Sequence, residues 1–327
     1  MSADAFSPTA PFAPAPGLRS PHAQTIFASL FRSRDVPPSR RERWDTHDGD
    51  FVDLDIYDGV PGAPHVVLLH GLEGSSRSGY VAAILRGAHA RGWGATALNF
   101  RSCSGEPNRL IRSYHSGETG DALGVLRRVR AQQPGPLFAV GFSLGGNVLC
   151  RLLEETGDAA PVDAAAAVSV PYDLEACARR LNEGGGLQRV YRARFLRSLK
   201  KKAREKARRF PGAFDLQAVE DARGLIAFDD VYTAPLHGFR DARDYYARAS
   251  SGPHLGDIRR PTLLLSAVDD PMVPAPGIPP EAALNPHLTL LQTPHGGHVG
   301  FVGGELHAPR FWAEEQVLHF LSRQLAR

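Results

Sequence analysis

Short apolar runs bounded by turn-forming residues recur along most of the chain, and each predicts a β-strand. The first run alternates apolar and acidic residues, which is typical of a strand with one face in water, whereas the later runs are continuously apolar. A continuously apolar strand is covered on both faces, so the later runs predict the centre of a parallel sheet. The predicted strands are Phe51–Tyr57, Val66–Leu69, Ala95–Asn99, Leu137–Gly141, Ala165–Val170, Thr262–Ala267 and Leu288–Leu291.

Helical stretches separate these runs, as the crossover connections of a parallel sheet require. The alternation predicts an α/β fold with a mostly parallel central sheet flanked by helices. It stops over residues 171–257, which we predict to be an inserted helical cap or lid, leaving residues 46–170 and 258–327 as the core. The predicted core helices are Tyr80–Arg91, Thr119–Gln132, Gly145–Glu155 and Phe311–Leu325.

Residues 1–45 are rich in proline, which cannot donate to a strand ladder. We therefore expect this segment to be an irregular N-terminal arm that packs on the surface of the core.

The composition of the 327-residue chain is that of a globular protein, with 43% hydrophobic and 22% charged residues. Lys and Arg number 38 and Asp and Glu 35, a surplus too small to predict a nucleic-acid partner. Three cysteines without a CxxC pair predict neither a disulfide framework nor structural zinc. With no signal peptide or membrane span apparent, we expect a cytoplasmic protein.

A candidate nucleophile lies in the G-x-S-x-G sequence Gly141–Gly145, between a predicted strand and a predicted helix. A sharp turn there would strain the backbone at Ser143 and expose its hydroxyl above the sheet. The following helix would direct its positive N-terminal end at the same point, where it could stabilise an oxyanion.

A serine hydroxyl needs a base, and the base needs a carboxylate to orient it. Asp269 and Asp270 both follow the strand Thr262–Ala267, and either could serve. Asp270 is preferred, because it lies one residue further from the strand and Pro271 restricts its conformation. His298 lies in a glycine-rich loop before the last helix, with His295 as its rival. The chain order serine, acid, histidine is the order expected of an α/β-hydrolase.

Two backbone amides are predicted to stabilise the oxyanion: that of Leu144, directly after the nucleophile, and that of Leu72 in the loop His70–Ser76. This loop lacks the lysine of a phosphate-binding loop, so no nucleotide site is expected. His295 and His298 have no third ligand at a suitable spacing, so neither a metal nor any other cofactor is expected.

Several motifs together resemble the YheT-like branch, or AB hydrolase family 4, of the α/β-hydrolase superfamily. They are Pro21–Thr25, HGLEGSS, Asn99–Glu106, Tyr114–Thr119, GFSLGGN, APLHGF and GGHVGF. The resemblance implies an α/β-hydrolase fold and a serine carboxylesterase or acylglycerol lipase with the triad Ser143, Asp270 and His298. The chain departs from the family at Ser102, where glycine is usual. The polar segment Tyr114–Ser116 has no evident chemical task, and we expect it to be structural or to form part of the wall of the site.

The sequence thus predicts a serine hydrolase that cleaves small-molecule or lipid esters through an acyl-enzyme. Alternatives are a thioesterase and a non-catalytic protein that binds fatty acids or lipids. Acyl length, head group and oligomeric state are not specified by the sequence.

Residues 192–210 predict an amphipathic basic helix. Arg192–Arg209 contains ten Lys or Arg and one Glu, and apolar residues recur between them at spacings that place them on one side of a helix. Such a helix could make peripheral contact with an anionic membrane. Alternatively, its apolar stripe packs on its own domain and its charges are merely solvated.

Overall fold

A computed structural model describes residues 6–326 of the chain. Its strands are Arg40–Asp45 (β1), Phe51–Tyr57 (β2), His65–Leu69 (β3), Gly94–Asn99 (β4), Leu137–Phe142 (β5), Ala164–Val168 (β6), Thr262–Ala267 (β7), Leu288–Thr293 (β8), Val302–Glu305 (β9) and Ala308–Phe311 (β10). The first eight form one sheet in the order β1-β2-β4-β3-β5-β6-β7-β8. The pairs β1–β2 and β2–β4 are antiparallel and the remaining pairs are parallel.

Helices cover both faces of this sheet and fill the long connection between β6 and β7. They are Pro21–Phe31 (α1), Gly79–His89 (α2), Thr119–Gln132 (α3), Leu144–Thr156 (α4), Leu174–Glu183 (α5), Leu187–Arg209 (α6), Leu216–Asp221 (α7), Leu225–Phe228 (α8), Ala234–Leu236 (α9), Ala242–Ala249 (α10) and Trp312–Arg323 (α11). Two apolar clusters on the two sheet faces form the core. The predicted fold class is confirmed, and each predicted strand is present with bounds shifted by a few residues.

The prediction of an irregular N-terminal arm is wrong for Pro21–Phe31 and Arg40–Asp45, which form α1 and β1. Pro21 is the first residue of α1, a position where the missing N–H costs no hydrogen bond. β1 contains no proline and pairs along its full length with β2.

The expectation that β2 has one face in water is also wrong. Asp53 and Asp55 are only 3% and 7% exposed, although both are charged. The guanidinium of Arg43 donates two hydrogen bonds to Asp53, and that of Arg41 donates two to Asp55. The acidic residues of β2 are therefore buried because each forms an ion pair with the arginine opposite it on β1.

The segment between β6 and β7 is helical, as predicted, and has apolar clusters of its own. Within α6, Leu196 and Ala203 are buried, and Phe195 and Leu199 pack beside them. The apolar stripe of the basic helix therefore packs inside the molecule. The role of this segment as a lid stays a prediction.

Glycines allow α4 to approach the sheet closely. A Cβ atom at Gly145 would lie 2.4 Å from the carbonyl oxygens of both Leu69 and His70, which belong to β3 and the loop after it. Likewise, a Cβ atom at Gly141 would lie 2.4 Å from the carbonyl oxygen of Gly145. Backbone atoms cannot move aside as a flexible side chain can, so both positions require glycine.

We predict that Gly145→Ala lowers the free energy of unfolding by about 2 kcal/mol or more, because the added methyl group forces α4 away from β3. Gly124→Ala in α3 is the matched control, since a Cβ atom there has no neighbour within 4 Å. That variant should gain about 0.5–1 kcal/mol from helix propensity. Urea unfolding of both variants measures the difference, and similar effects at the two sites would contradict the prediction.

Candidate active site

Ser143 occupies a strained turn between the end of β5 and the start of α4. Its backbone has φ 50° and ψ −121°, a conformation that residues with a side chain rarely adopt. The Ser143 N–H donates to the carbonyl oxygen of Val168 at the end of β6, at 2.8 Å. Such strain costs about 1–3 kcal/mol and persists only where the surrounding structure enforces it. The turn places the serine side chain at the carboxyl edge of the sheet.

The structure brings the three predicted catalytic candidates together. His298 Nε2 lies 3.0 Å from Ser143 Oγ, and His298 Nδ1 lies 2.8 Å from Asp270 Oδ2. With the proton on Nδ1 shared with the carboxylate, Nε2 can accept the proton of the serine hydroxyl. The Asp270 side chain is 1% exposed and that of His298 is 12% exposed.

Asp270 is fixed by its own loop. Its Oδ1 accepts hydrogen bonds from the N–H groups of Met272 at 2.8 Å and Val273 at 3.1 Å. The other oxygen, Oδ2, is the one that faces His298. The carboxylate is therefore held in one orientation.

The two rival residues form a separate pair. Asp269 Oδ2 lies 3.1 Å from His295 Nδ1, and its Oδ1 accepts from the N–H of Gly297 at 2.9 Å. The His295 side chain is 48% exposed, and its contact is Asp269 rather than Ser143. The geometry thus separates the alternatives that the sequence left open.

Helix α1 holds the loop that carries His298, a role that the sequence alone did not reveal. The N–H of His298 donates to Thr25 Oγ1 at 2.9 Å, and this hydroxyl donates to the Pro21 carbonyl oxygen at 2.8 Å. The side-chain amide of Gln24 accepts a hydrogen bond from the N–H of Val302 at 2.6 Å and donates one to the Val302 carbonyl oxygen at 3.0 Å. The only signal was the Pro21–Thr25 motif, to which no task had been given.

A buried ion pair also helps to hold the loop that carries His298. Arg32, the residue after α1, donates from Nη2 to the carbonyl oxygens of Val299 and Gly300, both at 2.8 Å. Its Nη1 lies 3.2 Å from Glu314 Oε1, with both side chains almost fully buried. Burial lowers the pKa of Arg32 and raises that of Glu314, because it disfavours both charged forms. The charge of each residue offsets part of this effect on the pKa of the other.

The two residues predicted to donate to the oxyanion line the same cavity as Ser143. Leu144 is the first residue of α4, so its N–H has no acceptor within the helix. Leu72 lies in the turn after β3, and both leucines line one cavity with Ser143 and His298.

Glu73 anchors the loop of Leu72 to α6 from a left-handed backbone conformation with φ 56°. Its N–H donates to the Tyr114 hydroxyl, which donates to Glu73 Oε1, both at 2.8 Å. The Lys202 ammonium donates to Oε1 at 2.7 Å, and the Ser198 hydroxyl to Oε2. Burial opposes ionisation of Glu73, but Lys202 and the hydrogen bonds outweigh it, so its pKa lies below the ordinary value.

Two cavities meet at Ser143 and His298. One, the chamber, has a volume of about 150 Å³ and lies under the helices of residues 171–257. The other, the mouth, has a volume of about 530 Å³ and lies between α1 and α6. Apolar side chains dominate the chamber wall, including Leu174, Ala178, Leu181, Phe195, Leu199 and Phe228. Tyr114–Ser116 also line it, so the segment forms part of the wall, as expected.

Besides Glu73, the acidic residue Asp229 belongs to the chamber wall. It accepts hydrogen bonds from the hydroxyls of Thr233 and Tyr246, each at 2.6 Å. Burial raises the pKa of Asp229 to about 6, which favours its neutral form more than usual.

Within residues 6–326, no group of three or more His, Cys, Asp or Glu side chains is arranged to hold a metal ion. Among the helices of the same residues, none combines the length and apolar character that a membrane crossing needs.

Comparisons with known proteins agree with this architecture. A family model of the alpha/beta hydrolase fold matches residues 64–305. The chain is 42% identical to YheT of Escherichia coli (strain K12), over 99% of this chain and 96% of that protein. It is 32% identical to phospholipase ABHD3 of Mus musculus, over 86% and 71% of the two chains. A crystal structure of the Pyrococcus furiosus esterase Pf2001 superimposes with a TM-score of 0.59 at 16% identity, over 88% and 91% of the two chains.

We predict that Thr25→Val lowers kcat for ester hydrolysis about tenfold to 100-fold with little change in KM, because His298 loses the acceptor that positions its loop. Thr25→Ser keeps the hydroxyl and should retain most of the activity. Steady-state kinetics with a p-nitrophenyl ester, together with thermal unfolding of both variants, measure the effect. A loss in Thr25→Ser that equals or exceeds the loss in Thr25→Val would contradict the role of the hydroxyl, because valine keeps the methyl group that serine lacks.

Proposed function

The chain belongs to the α/β-hydrolase family, and from that premise we propose that it is a serine hydrolase that cleaves carboxylic esters. The observation that carries this proposal is the continuous hydrogen-bond chain from Ser143 through His298 to Asp270. Its relatives include a protein named as a phospholipase and, by structure, one named as an esterase, which supports the same class of reaction.

In the first half of the reaction, Ser143 Oγ attacks the ester carbonyl carbon while His298 Nε2 takes the hydroxyl proton. Asp270 orients the ring and stabilises the imidazolium that forms. The negative charge on the carbonyl oxygen is stabilised by the N–H groups of Leu72 and Leu144. Collapse of this intermediate expels the alkoxide, which leaves with the proton from His298.

In the second half, water attacks the acyl-enzyme, and the same groups repeat their roles. His298 removes a proton from the water and then returns it to Ser143 Oγ as the acid leaves. A thioester presents the same carbonyl to the same groups, and it remains the alternative substrate class.

We further propose that the chamber binds the acyl group and the mouth accommodates the alcohol portion. The chamber volume of about 150 Å³ equals that of an engineered protein cavity that binds benzene, a molecule of six carbons. The chamber therefore accommodates an acyl chain of about six carbons. The apolar wall favours an unsubstituted hydrocarbon chain.

We predict that a fluorophosphonate probe labels the protein and that Ser143→Ala abolishes both labelling and ester hydrolysis. Asp270→Asn should lower kcat at least about 100-fold, since the ring of His298 loses its orienting partner. Asp269→Asn, the matched variant one residue away, should have a much smaller effect. A non-catalytic fatty-acid binding protein would remain unlabelled, and equal losses at 269 and 270 would contradict the assignment of the acid.

We also predict that kcat/KM is highest for p-nitrophenyl butyrate and hexanoate and falls at least about tenfold for the palmitate ester. Leu181→Ala, which enlarges the chamber, should shift the preference to longer chains, whereas Ala178→Leu should shift it to shorter ones. Leu284→Ala, at a residue that is 83% exposed, is the control that should change neither. A palmitate preference in the unaltered protein would exclude the chamber as the acyl site.

A further inference from the structure

The outward face of α6 combines apolar and cationic residues in a definite order. Leu187, Val190, Arg194, Arg197 and Lys201 follow one another at intervals of three and four, which places them on one side of the helix. All five are exposed, with Leu187 at 37% and Val190 at 57%. The face is thus aliphatic near the start of the helix and cationic over its next turns.

The cations on this face are not used to hold the fold together. Arg194, Arg197 and Lys201 form no ion pair with any residue in the described range 6–326. Cations elsewhere on α6 are used in this way: Lys202 pairs with Glu73, and Arg204 pairs with Glu220. Arg189 and Arg208 of α6 are likewise exposed and form no ion pair within residues 6–326, and the three cations of the stripe are those that follow the aliphatic residues on the same side of the helix.

The end of α1 contributes further exposed apolar residues beside this stripe. Leu30 and Phe31 are each 65% exposed, although both are large and apolar. Leu30 and Val190 line the mouth that leads to Ser143 and His298. The two helices are joined by a hydrogen bond between His22 Nδ1 and the Tyr191 hydroxyl at 3.0 Å. Exposed aliphatic side chains from both helices therefore flank one opening.

We propose that this surface, the docking face, binds the membrane–water interface of an anionic lipid bilayer. Its members are Leu30, Phe31, Leu187, Val190, Arg194, Arg197 and Lys201. Acidic head groups attract the unpaired cations, while the aliphatic side chains enter the boundary between head groups and acyl chains. The stripe from Leu187 to Lys201 contains three cations and no carboxylate, and Glu205 follows it at the next interval of four. Charge complementarity therefore favours a negatively charged bilayer.

Docking in this orientation turns the mouth toward the lipid. An ester whose alcohol portion stays in the bilayer could then reach Ser143 without crossing bulk water. The binding itself uses no catalytic group, so it holds or fails independently of the proposed ester hydrolysis.

Vesicle flotation of the Ser143→Ala protein tests the proposal without turnover. We expect binding at low salt to phosphatidylcholine vesicles that contain about 30% phosphatidylglycerol, and little binding to pure phosphatidylcholine. Each basic residue near such a surface contributes on the order of fivefold to partitioning, so Arg197→Glu/Lys201→Glu should reduce binding at least about tenfold. Leu30→Ser/Val190→Ser should also reduce it, because the apolar contact is lost.

Matched controls distinguish binding through this face from an effect of net charge or of nonspecific hydrophobic adsorption. Arg127→Glu/Arg243→Glu changes the net charge by the same amount at exposed positions on α3 and α10. Val60→Ser/Leu284→Ser removes aliphatic residues that are 63% and 83% exposed elsewhere. Both controls should bind like the parent protein, with thermal unfolding confirming that every variant folds. No flotation of the parent at low salt, or equal losses in the controls, would overturn the proposal.

Discussion

The hydrogen bond between His298 and Ser143 joins two loops that are 155 residues apart, and much of the surrounding structure serves to keep that contact short. The serine is held in a strained turn by the close approach of α4 to the sheet, which glycines at 141 and 145 permit. The histidine is held from the opposite side by side chains of Thr25 in α1 and of Arg32 just after it, which form hydrogen bonds with backbone atoms of its loop.

These two supports differ in their physical character. The serine turn depends on sterics: small residues allow backbone segments to lie closer than any side chain would permit. The histidine loop depends on buried polar groups, above all Arg32, whose charge is balanced by Glu314 and whose donors satisfy carbonyl oxygens of the loop. Groups of this kind tolerate few arrangements, because any departure leaves a buried charge or donor unpaired. The histidine loop is therefore positioned by buried hydrogen bonds, and the serine by packing.

The difference explains which parts of the site could be predicted from the sequence. Ser143 and the two aspartates follow apolar strands directly, so local pattern and the geometry of parallel sheets locate them. The choice between Asp269 and Asp270 depended on side-chain directions, which a loop sequence does not specify. The contact between Thr25 and His298 spans 273 residues and involves a segment whose prolines suggested irregular structure. The alternation in β2 predicts a solvent-exposed face for a related reason: sequence does not show that ion pairs with β1 take the place of water at its acidic residues.

The chamber wall and the loop of Leu72, one of the two proposed oxyanion donors, are connected through Glu73. Its backbone directly follows Leu72, and its carboxylate is bound by Ser198 and Lys202 of α6. The next apolar positions on that helix, Phe195 and Leu199, form part of the chamber wall. A displacement of α6 by an oversized acyl chain would therefore pull on the carboxylate that fixes the loop of Leu72. Because that carboxylate is buried and charged, it cannot exchange Lys202 for water at little cost. If the chamber binds the acyl group as proposed, a chain that fits it leaves the proposed oxyanion donor in place and a chain that does not fit disturbs it, and selection by acyl size would then act on the transition state as well as on binding.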